Sequence, residues 1–243
     1  MATQAQVKAF IELIAPMAIA EYNKGKKILP SVCIAQACCE SAYGTQKRMQ
    51  KANAIFGIKV GKNKVRFGNA WNGKFYDTKT KECYDGSTYV TITDKFRAYD
   101  SLQDSVTDYY DMLVSCSRYR AAVGAKDYEA TIQAIKNGGY ATSPTYVNTI
   151  CSIIRTYNLA KYDAMVGAEV IVPNPTIKKG DRGTYVKELQ TKLVSLGYLL
   201  SRKEIDGIFG PKTLAAVMEY QEDAGLVVDG IVGKKTWTAL SRV

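Results

Sequence analysis

The feature that most constrains the fold is a break in helical periodicity well past the middle of the chain. From Asp163 to Thr176 the run Asp-Ala-Met-Val-Gly-Ala-Glu-Val-Ile-Val-Pro-Asn-Pro-Thr places one glycine and two prolines between helical patterns. Both residue types disfavour helix interiors, and such a stretch is typical of a linker. The 243 residues suffice for two domains that each bury a core. The sequence therefore predicts a first domain over 1–163, a linker over 164–176 and a second domain over 177–243.

The first domain is predicted to be mainly helical with a small β excursion. Thr3-Gln-Ala-Gln6 is a capping-box pattern that precedes apolar residues at helical spacing. Pro30 suits the first turn of a second helix, and Gly44 is placed to end it. The alternating, β-branched stretch 88–93 and the turn signal Asp85-Gly86 predict a hairpin. Further helices are predicted to start at Ser101 and to span about 127–137 and 146–157.

The second domain contains an internal repeat. Residues 206–217 align with residues 229–240 at seven identical positions, offset by 23 residues. In each copy an Asp-Gly turn leads into a Gly-x-Lys-Thr segment, which is expected to start a helix with Thr213 or Thr236 near its cap. An apolar stripe over 186–196 predicts another helix before the repeats. The second domain is therefore predicted to be a three-helix unit.

Histidine is absent from the sequence, and its absence disfavours several enzyme classes. Zinc peptidases and amidases usually bind their metal through histidine, and serine and cysteine hydrolases usually use a histidine base. Acid–base chemistry at neutral pH is then left to carboxylates, tyrosines and lysines. Neither a metal nor a cofactor is expected.

The net charge of +10 indicates a polyanionic partner, such as a cell wall, a nucleic acid or an acidic membrane surface. Residues 1–163 carry 22 basic and 14 acidic residues, and the remainder carries 11 and 9, so the first domain is expected to face that partner. No apolar run approaches the ~20 residues that span a bilayer. There is also no Lys/Arg-rich helix of the nucleic-acid-binding kind. Neither stable membrane insertion nor nucleic-acid binding is expected.

The amino terminus lacks the basic start, apolar centre and cleavage site of a secretory signal. The six cysteines show no framework of short loops, and Cys38 and Cys39 are adjacent, which favours free thiols. We therefore expect synthesis in a cytoplasm without a signal peptide.

The stretch Cys33–Gly44 contains three cysteines and Glu40, and either a thiol or the carboxylate could carry chemistry. Without histidine the thiols lack their usual activating base, so they are expected to be small apolar packing residues. Glu40 follows an apolar helical face, so we expect it at a helix C-terminus at the edge of a core. Burial and the helix dipole would there disfavour the ionised form, as a general acid requires. Spacing alone leaves open the alternative of a solvent-exposed glutamate at a helix end.

Five ordered motifs in the first domain carry a family resemblance. They are Phe10-Ile-Glu-Leu-Ile-Ala-Pro-Met-Ala, the stretch from Ile28 to Gly44, Ala52-Asn-Ala-Ile-Phe-Gly-Ile-Lys, Phe96-Arg-Ala-Tyr-Asp-Ser and Gly139-Tyr-Ala-Thr-Ser-Pro-Thr-Tyr. Through them, residues 9–163 resemble the glycoside hydrolase family 73 N-acetylglucosaminidases of the lysozyme-like superfamily. The resemblance implies a mainly α, lysozyme-like helical domain with a small β-hairpin lobe.

The same resemblance implies roles for three residues in the chemistry. The glutamate that matches Glu40 is the family's general acid, which donates a proton to the glycosidic oxygen. Thr80-Lys-Glu82 matches a second motif, whose glutamate would activate water or stabilise an oxocarbenium-like transition state. The alternative for Glu82 is a solvated turn residue, with the substrate's own acetamido group taking that role. Tyr140 matches the family's active-site tyrosine.

Four further residues are assigned to substrate binding by resemblance. Asn53, Phe56 and Gly57 match the substrate-groove motif, with Phe56 as a sugar platform or, alternatively, a core residue. Thr142 lies in the same Gly-Tyr-Ala-Thr motif as Tyr140. This chain has Ser143 where family members often have aspartate, a departure expected to affect the local turn.

The second domain resembles the peptidoglycan-binding type 1 domain over about residues 177–241. The resemblance rests on Lys179-Gly-Asp-Arg-Gly, Leu196-Gly-Tyr and the two Asp-Gly-Ile-x-Gly-x-Lys-Thr repeats. The Asp-Gly pairs lack the alternating oxygen ligands of a calcium loop, so they are interpreted as turns.

Together the resemblances imply a phage-type endolysin that cleaves the GlcNAc-β-1,4-MurNAc bond as an endo-β-N-acetylglucosaminidase. Its partner would be bacterial peptidoglycan, and it is expected to be a monomer. It would be made in the host bacterial cytoplasm and act on the cell wall after release. The alternatives are a muramidase or lytic transglycosylase of the same superfamily, a non-enzymatic wall-binding protein and a basic nucleic-acid-binding protein.

Overall fold

A computed structural model of the chain describes residues 2–61, 63–83, 88–167, 174–198 and 201–241, with the backbone alone at 48, 49, 81–83, 89 and 202. The chain divides into two compact units, Met1–Val172 and Pro173–Val243, and each has its own apolar core. The predicted linker over 164–176 spans the boundary between the units, and its residues 168–173 lie outside the described ranges.

The first unit is built from helices around a large apolar core, and a small second cluster of Val60, Trp71 and Tyr99 lies beside the β strands. Helix α1 spans Gln4–Asn23, and its start confirms the predicted capping box. The Thr3 hydroxyl accepts from the Gln6 backbone N–H at 3.3 Å, while Gln6 Oε1 accepts from the Thr3 N–H at 2.8 Å. The other helices of this unit are α2 (Pro30–Ser41), α3 (Lys47–Ala52), α4 (Leu102–Ser115), α5 (Tyr128–Asn137) and α6 (Tyr146–Thr156), with 3₁₀ helices at Ser117–Ala122 and Leu159–Met165.

Helix α2 is the buried element of the first unit, and it packs against α1, α6 and the second 3₁₀ helix. Its start has Pro30 in the first turn, as predicted, but the N-cap residue Leu29 offers no side-chain acceptor. The cap comes from a distant residue instead. The Asp163 carboxylate accepts from the Ser31 backbone N–H at 2.8 Å and from the Ser31 hydroxyl at 2.6 Å. A carboxylate at the N-terminal end of a helix also interacts favourably with the helix dipole.

Two antiparallel strands form the predicted hairpin. Strand β1 spans Phe75–Cys83 and β2 spans Tyr89–Arg97, with Phe75 opposite Arg97 in register. The predicted turn Asp85-Gly86 lies outside the described residues. The segment 58–60 lines the other edge of β2, where the Val60 N–H donates to the Lys95 carbonyl oxygen at 2.9 Å. The prediction of a mainly helical, lysozyme-like domain with a small β lobe is confirmed.

The second unit contains the three predicted helices, α7 (Thr184–Ser195), α8 (Pro211–Asp223) and α9 (Lys234–Leu240), with a 3₁₀ turn at Arg202–Glu204. The caps of α8 and α9 are Gly210 and Gly233, and they use no side-chain hydrogen bond. Thr213 and Thr236 are instead buried in the first turn of each helix. Their hydroxyls accept from a buried glutamine amide, Gln190 Nε2 at 3.1 Å and Gln221 Nε2 at 3.3 Å.

Each of these glutamines braces one Asp-Gly turn of the repeat. Gln190 Nε2 donates to Asp206 Oδ1 at 3.0 Å, while its Oε1 accepts from the Gly207 N–H at 2.8 Å. Gln221 repeats the pattern one helix later, with Oε1 accepting from the Gly230 N–H at 2.9 Å. Gly207 and Gly230 have φ of 76° and 67°, in the left-handed region that glycine enters without a Cβ clash. The internal repeat therefore encodes two copies of one turn held by one buried amide.

None of the helices in the described ranges is both long and apolar enough to cross a bilayer.

Candidate active site

Glu40 lies in the last turn of α2, where that helix leaves the core. The preceding positions from Val32 to Cys38 are fully buried, whereas Glu40 is half-buried. The structure therefore places a carboxylate at the edge of an apolar core, which is the helix-end position that the sequence predicts.

The turn after Glu40 is held in an unusual backbone conformation. Helix α2 ends at Ser41, three residues before the predicted stop at Gly44, because Ala42 already adopts φ 49°. Tyr43 follows with φ 56°. Left-handed non-glycine residues are uncommon and cost roughly 1–3 kcal/mol each, so surrounding contacts must hold them. The Ser41 hydroxyl supplies one such contact, since it donates to the Ala37 carbonyl oxygen at 2.6 Å and accepts from the Gly44 N–H at 2.8 Å.

Three tyrosines and one phenylalanine form an aromatic wall beside Glu40. The Tyr140 ring lies 6.1 Å from the Tyr146 ring and 6.3 Å from the Tyr109 ring, measured between centroids. The Tyr140 hydroxyl donates to the Phe56 carbonyl oxygen at 3.1 Å. Burial raises the pKa of Tyr140 and of Tyr146 well above the ordinary value, and the negative charge of Glu40 raises both further. Both phenols therefore keep their protons at neutral pH.

A buried amide connects this wall to α2, and sequence reasoning missed it. Gln36 is fully buried one helical turn before Glu40. Its Nε2 donates to the Tyr146 hydroxyl at 2.7 Å, and its Oε1 accepts from the Tyr109 hydroxyl. The signal that could have found it is a polar residue four positions before Glu40, within the otherwise apolar stretch Val32–Cys38. Tyr146 was within reach too, since it ends the Gly139–Tyr146 motif.

The predicted groove residues occupy the segment between α3 and the β lobe. Asn53 ends α3 with φ 48°, and its side-chain amide donates to the Tyr99 and Asp100 carbonyl oxygens at 3.1 and 3.2 Å. Phe56 is 2% exposed and stacks on Tyr109 with 4.1 Å between centroids, so its ring belongs to the core. Its backbone reaches the site through the Tyr140 hydrogen bond. Gly57 follows with φ 61°.

The two remaining predicted residues lie in different surroundings. Thr142 is exposed in the segment between α5 and α6. Glu82 lies on β1 opposite Val90, next to the last residue of the strand. The structure thus brings Glu40, Tyr140 and the Phe56 backbone into one site, and it places Glu82 on the neighbouring lobe by its backbone.

The cysteines of α2 are poor nucleophiles. Burial raises the pKa of Cys38 to about 12 and that of Cys39 to about 11, the second with help from the charge of Glu40. A thiol with such a pKa is almost wholly protonated at neutral pH, and the thiolate is the reactive form. The five cysteines whose side chains the structure describes are free, and these same described ranges hold no group of three or more acidic or cysteine side chains that could bind a metal ion.

The first unit has the fold of the lysozyme-like glucosaminidase domains, which are glycosidases with a helical core and a small β lobe. The catalytic domain of the autolysin Auto from Listeria monocytogenes superposes on this chain with a TM-score of 0.53 at 30% identity. The match covers 67% of this chain and 90% of that one.

The chain belongs to the glucosaminidase family. The family model described as mannosyl-glycoprotein endo-beta-N-acetylglucosaminidase matches residues 15–159, and a peptidoglycan binding domain model matches residues 182–240. The resemblances found in the motifs of both domains are thereby confirmed.

Two curated relatives match the chain over part of their length. The exo-glucosaminidase LytG of Bacillus subtilis is 31% identical over 186 residues, which make up 74% of this chain and 59% of that protein. The peptidoglycan hydrolase FlgJ of Vibrio parahaemolyticus is 34% identical over 151 residues, or 60% of this chain and 46% of that protein. The chain thus spans about half the length of the curated relatives it matches.

Proposed function

We propose that this chain is a peptidoglycan hydrolase whose first unit cleaves the β-1,4 bond between GlcNAc and MurNAc, with Glu40 as the general acid. The observation that carries the proposal is the position of Glu40 at the edge of the core, beside the protonated phenols of Tyr140 and Tyr146. Family membership and the names of the relatives, a glucosaminidase and a peptidoglycan hydrolase, support the same chemistry.

In the proposed reaction Glu40 gives its proton to the glycosidic oxygen as the bond from that oxygen to the sugar C1 breaks. The electron pair of the bond leaves with the oxygen, and positive charge develops on C1 and the ring oxygen. A water oxygen then forms the new bond to C1, and its proton is taken up by a carboxylate. The result is one new reducing sugar for each water consumed.

A second group must support the positive charge or activate the water. Glu82 on β1 is our candidate, because glycosidases commonly pair two carboxylates and its strand belongs to the lobe beside the helical core. The competing candidate is the acetamido oxygen of the substrate. We propose that Tyr140 orients the sugar from its bond to the Phe56 carbonyl oxygen, and that Asn53, Gly57 and Thr142 shape the substrate groove.

The second unit is proposed to hold the enzyme on the wall. A binding module tethered to a catalytic domain raises the local concentration of an insoluble substrate, even when its own affinity is weak. The net charge of +10 also attracts an anionic wall polymer electrostatically.

The product ends test the proposed reaction. Purified peptidoglycan is digested, and the new ends are identified by mass spectrometry after borohydride reduction. Reducing GlcNAc is expected, whereas reducing or anhydro-MurNAc would identify a muramidase or a lytic transglycosylase and refute the assignment. We propose internal (endo) cleavage, which releases long fragments early. A relative is named an exo-glucosaminidase, so early release of single disaccharide units would contradict that part of the proposal.

The variant Glu40→Gln separates catalysis from binding. It keeps the shape of the side chain and removes the proton that the mechanism transfers, so release of reducing ends is expected to fall at least about 10²-fold. The variant should still sediment with insoluble wall. Unaltered hydrolysis by Glu40→Gln would refute the catalytic role of Glu40, and the chain would then be a wall-binding protein at most.

The role of Glu82 is tested by Glu82→Gln measured beside Glu40→Gln. If two carboxylates act, both variants lose most of the rate. A nearly unchanged rate for Glu82→Gln alone would assign the second role to the acetamido group. Replacement of the substrate acetamido group by a thioacetamido group gives the complementary measurement.

We further propose that the chain acts as an endolysin, made inside a host bacterium and active on the wall after release. Free thiols support synthesis in a reducing compartment. Expression in a bacterium should then be tolerated until the membrane is permeabilised, for example by chloroform, and lysis should follow. Lysis without permeabilisation would contradict this order of events.

A further inference from the structure

Glu40 shares one face of α2 with Gln36. Residues four apart on a helix are neighbours, and side chains lean toward the helix N-terminus. The Glu40 carboxylate therefore leans over the preceding turn, which is the turn that carries the Gln36 amide. Tyr146 from α6 reaches the same place, because its hydroxyl lies 2.7 Å from Gln36 Nε2. The Tyr146 hydroxyl thus lies on the face of α2 that carries Gln36 and Glu40, and burial together with the negative charge of Glu40 raises the pKa of Tyr146.

The direction of the hydrogen bonds in this cluster follows from burial. Tyr109 is fully buried, and its hydroxyl proton is donated to Gln36 Oε1. An undonated buried hydroxyl proton costs about 1–3 kcal/mol, so this bond sets the amide with its oxygen toward Tyr109. Gln36 Nε2 then faces Tyr146 and donates to it. The Tyr146 oxygen is thereby an acceptor toward Gln36, and its own proton is directed away from the amide.

We propose that Tyr146 is a positioning residue for Glu40, with its hydroxyl proton directed at the carboxylate by the chain Tyr109–Gln36–Tyr146. The inference rests on the proposed function, since it assigns a partner to the proposed general acid. Tyr146 is 6% exposed and Gln36 and Tyr109 are fully buried, so the chain is held rigidly by the core. One carboxylate oxygen would be oriented by Tyr146, which leaves the other to carry the proton toward the glycosidic oxygen.

Tyr146→Phe tests the proposal, because it keeps the ring and removes the hydroxyl. A donor to a carboxylate favours its ionised form, so losing the donor should move the alkaline limb of the pH–rate profile to higher pH by about half a unit to one unit. Poorer orientation should also lower kcat about tenfold, with KM changed less than twofold. The assay is the initial rate of reducing-end release from soluble glycan fragments between pH 4 and 9.

Tyr110→Phe is the matched control. Tyr110 neighbours Tyr109 on α4, is equally buried and donates its hydroxyl to the Ala18 carbonyl oxygen at 3.1 Å. Its loss should lower thermal stability as much as Tyr146→Phe does, while kcat and the pH–rate profile stay as in the wild type. A shift shared by both variants would mean that the effect is structural, and it would overturn the proposal.

Tyr109→Phe tests the hydrogen-bond chain at its other end, and it replaces the first test if Tyr146→Phe does not fold. Without the Tyr109 proton, Gln36 Oε1 becomes free to accept from Tyr146, which draws the Tyr146 proton away from Glu40. We expect a shift of the alkaline limb in the same direction and a loss in kcat of about threefold. A profile like that of Tyr110→Phe would overturn the proposed chain.

The outcomes separate this inference from the proposed function. If Glu40→Gln retains wild-type activity, the proposed function itself fails. If Glu40→Gln is inactive while Tyr146→Phe and Tyr109→Phe keep the wild-type kcat and pH–rate profile, Glu40 remains the acid and the positioning role of Tyr146 is refuted.

Discussion

Replacing Asp108 by alanine is expected to destabilise the first unit by about 4 kcal/mol, because it removes the partner of a buried arginine. Arg97 at the end of β2 is 1% exposed, and its Nη1 lies 2.9 Å from both oxygens of the fully buried Asp108 on α4. Asp108 also accepts from the Tyr99 hydroxyl at 2.8 Å. The guanidinium packs against two aromatic rings, with its Cζ 4.1 Å from the Trp71 ring centroid and 4.5 Å from the Phe67 ring centroid. It is therefore enclosed, and water cannot replace the carboxylate.

The magnitude follows from the cost of an unpaired buried charge, roughly 3–5 kcal/mol when one partner of a buried pair is removed. For a domain of this size, about 4 kcal/mol lowers the Tm by about 8–16 °C. The two tryptophans, Trp71 and Trp237, lie in different units. In a Trp237→Phe background the fluorescence of Trp71, which contacts Arg97, reports unfolding of the first unit alone.

A double-mutant cycle with Arg97→Met separates the ion pair from general loss of packing. Among the described residues Arg97 Nε has no hydrogen-bond partner, so the arginine is already incompletely satisfied. Removing both charges should then cost less than the sum of the two single changes, with a coupling of at least about 2 kcal/mol. Additive effects, or a cost below about 1 kcal/mol for Asp108→Ala, would refute the reasoning.

Two further predictions concern stability. Burial alone would raise the pKa of Glu21, but Lys24 and Lys26, both at 2.7 Å, hold it below its ordinary value of 4.5. The ionised Glu21 therefore stabilises the fold above pH 4.5, and this stabilisation is lost as the pH falls through the lowered pKa of the folded state. In Glu21→Gln, the free energy of unfolding measured in urea should depend less on pH between 5 and 3 than in the wild type. In the second unit, Gln221→Ala removes the acceptor of the buried Gly230 N–H and the amide donor to the buried Thr236 hydroxyl, and it should cost about 2–4 kcal/mol in urea unfolding. The exposed Glu219→Ala on the same helix should cost under about 0.5 kcal/mol.

The elements that sequence reasoning found are those with local signals. Three helix caps satisfy backbone groups within a few residues of the capping side chain, so they can be predicted from the sequence alone. They are the capping box at Thr3 and the caps at Ser101 and Asp127. The hairpin and the repeat could be predicted for the same reason, since the residue patterns and turn residues that indicate them lie within short stretches of sequence. Glu40 was placed correctly because an apolar face leads directly into it.

The features that sequence reasoning missed depend on residues far apart in the chain. Asp163 caps α2 across 132 positions, and the Gln36 amide bonds Tyr146 across 110 positions. The early stop of α2 at Ala42 was missed for another reason, because alanine has no intrinsic preference for the left-handed region and the Ser41 hydroxyl bonds that hold the turn leave no sequence pattern. Phe56 shows the ambiguity of composition, since an aromatic residue has the same sequence signature in a core as on a sugar-binding surface.

Both units contain buried glutamines whose amides fix the arrangement of their neighbours, which an apolar residue in the same place would not do. A buried amide must satisfy a donor and an acceptor at once, so it accepts only one arrangement of its partners. In the second unit Gln190 and Gln221 thereby hold the two Asp-Gly turns in one conformation. In the first unit Gln36 gives Tyr109 and Tyr146 opposite hydrogen-bond roles. A methionine at position 36 would fill the same space, yet it would leave the direction of the Tyr146 proton undetermined. The amide at that position therefore contributes orientation beside Glu40, which packing alone does not supply.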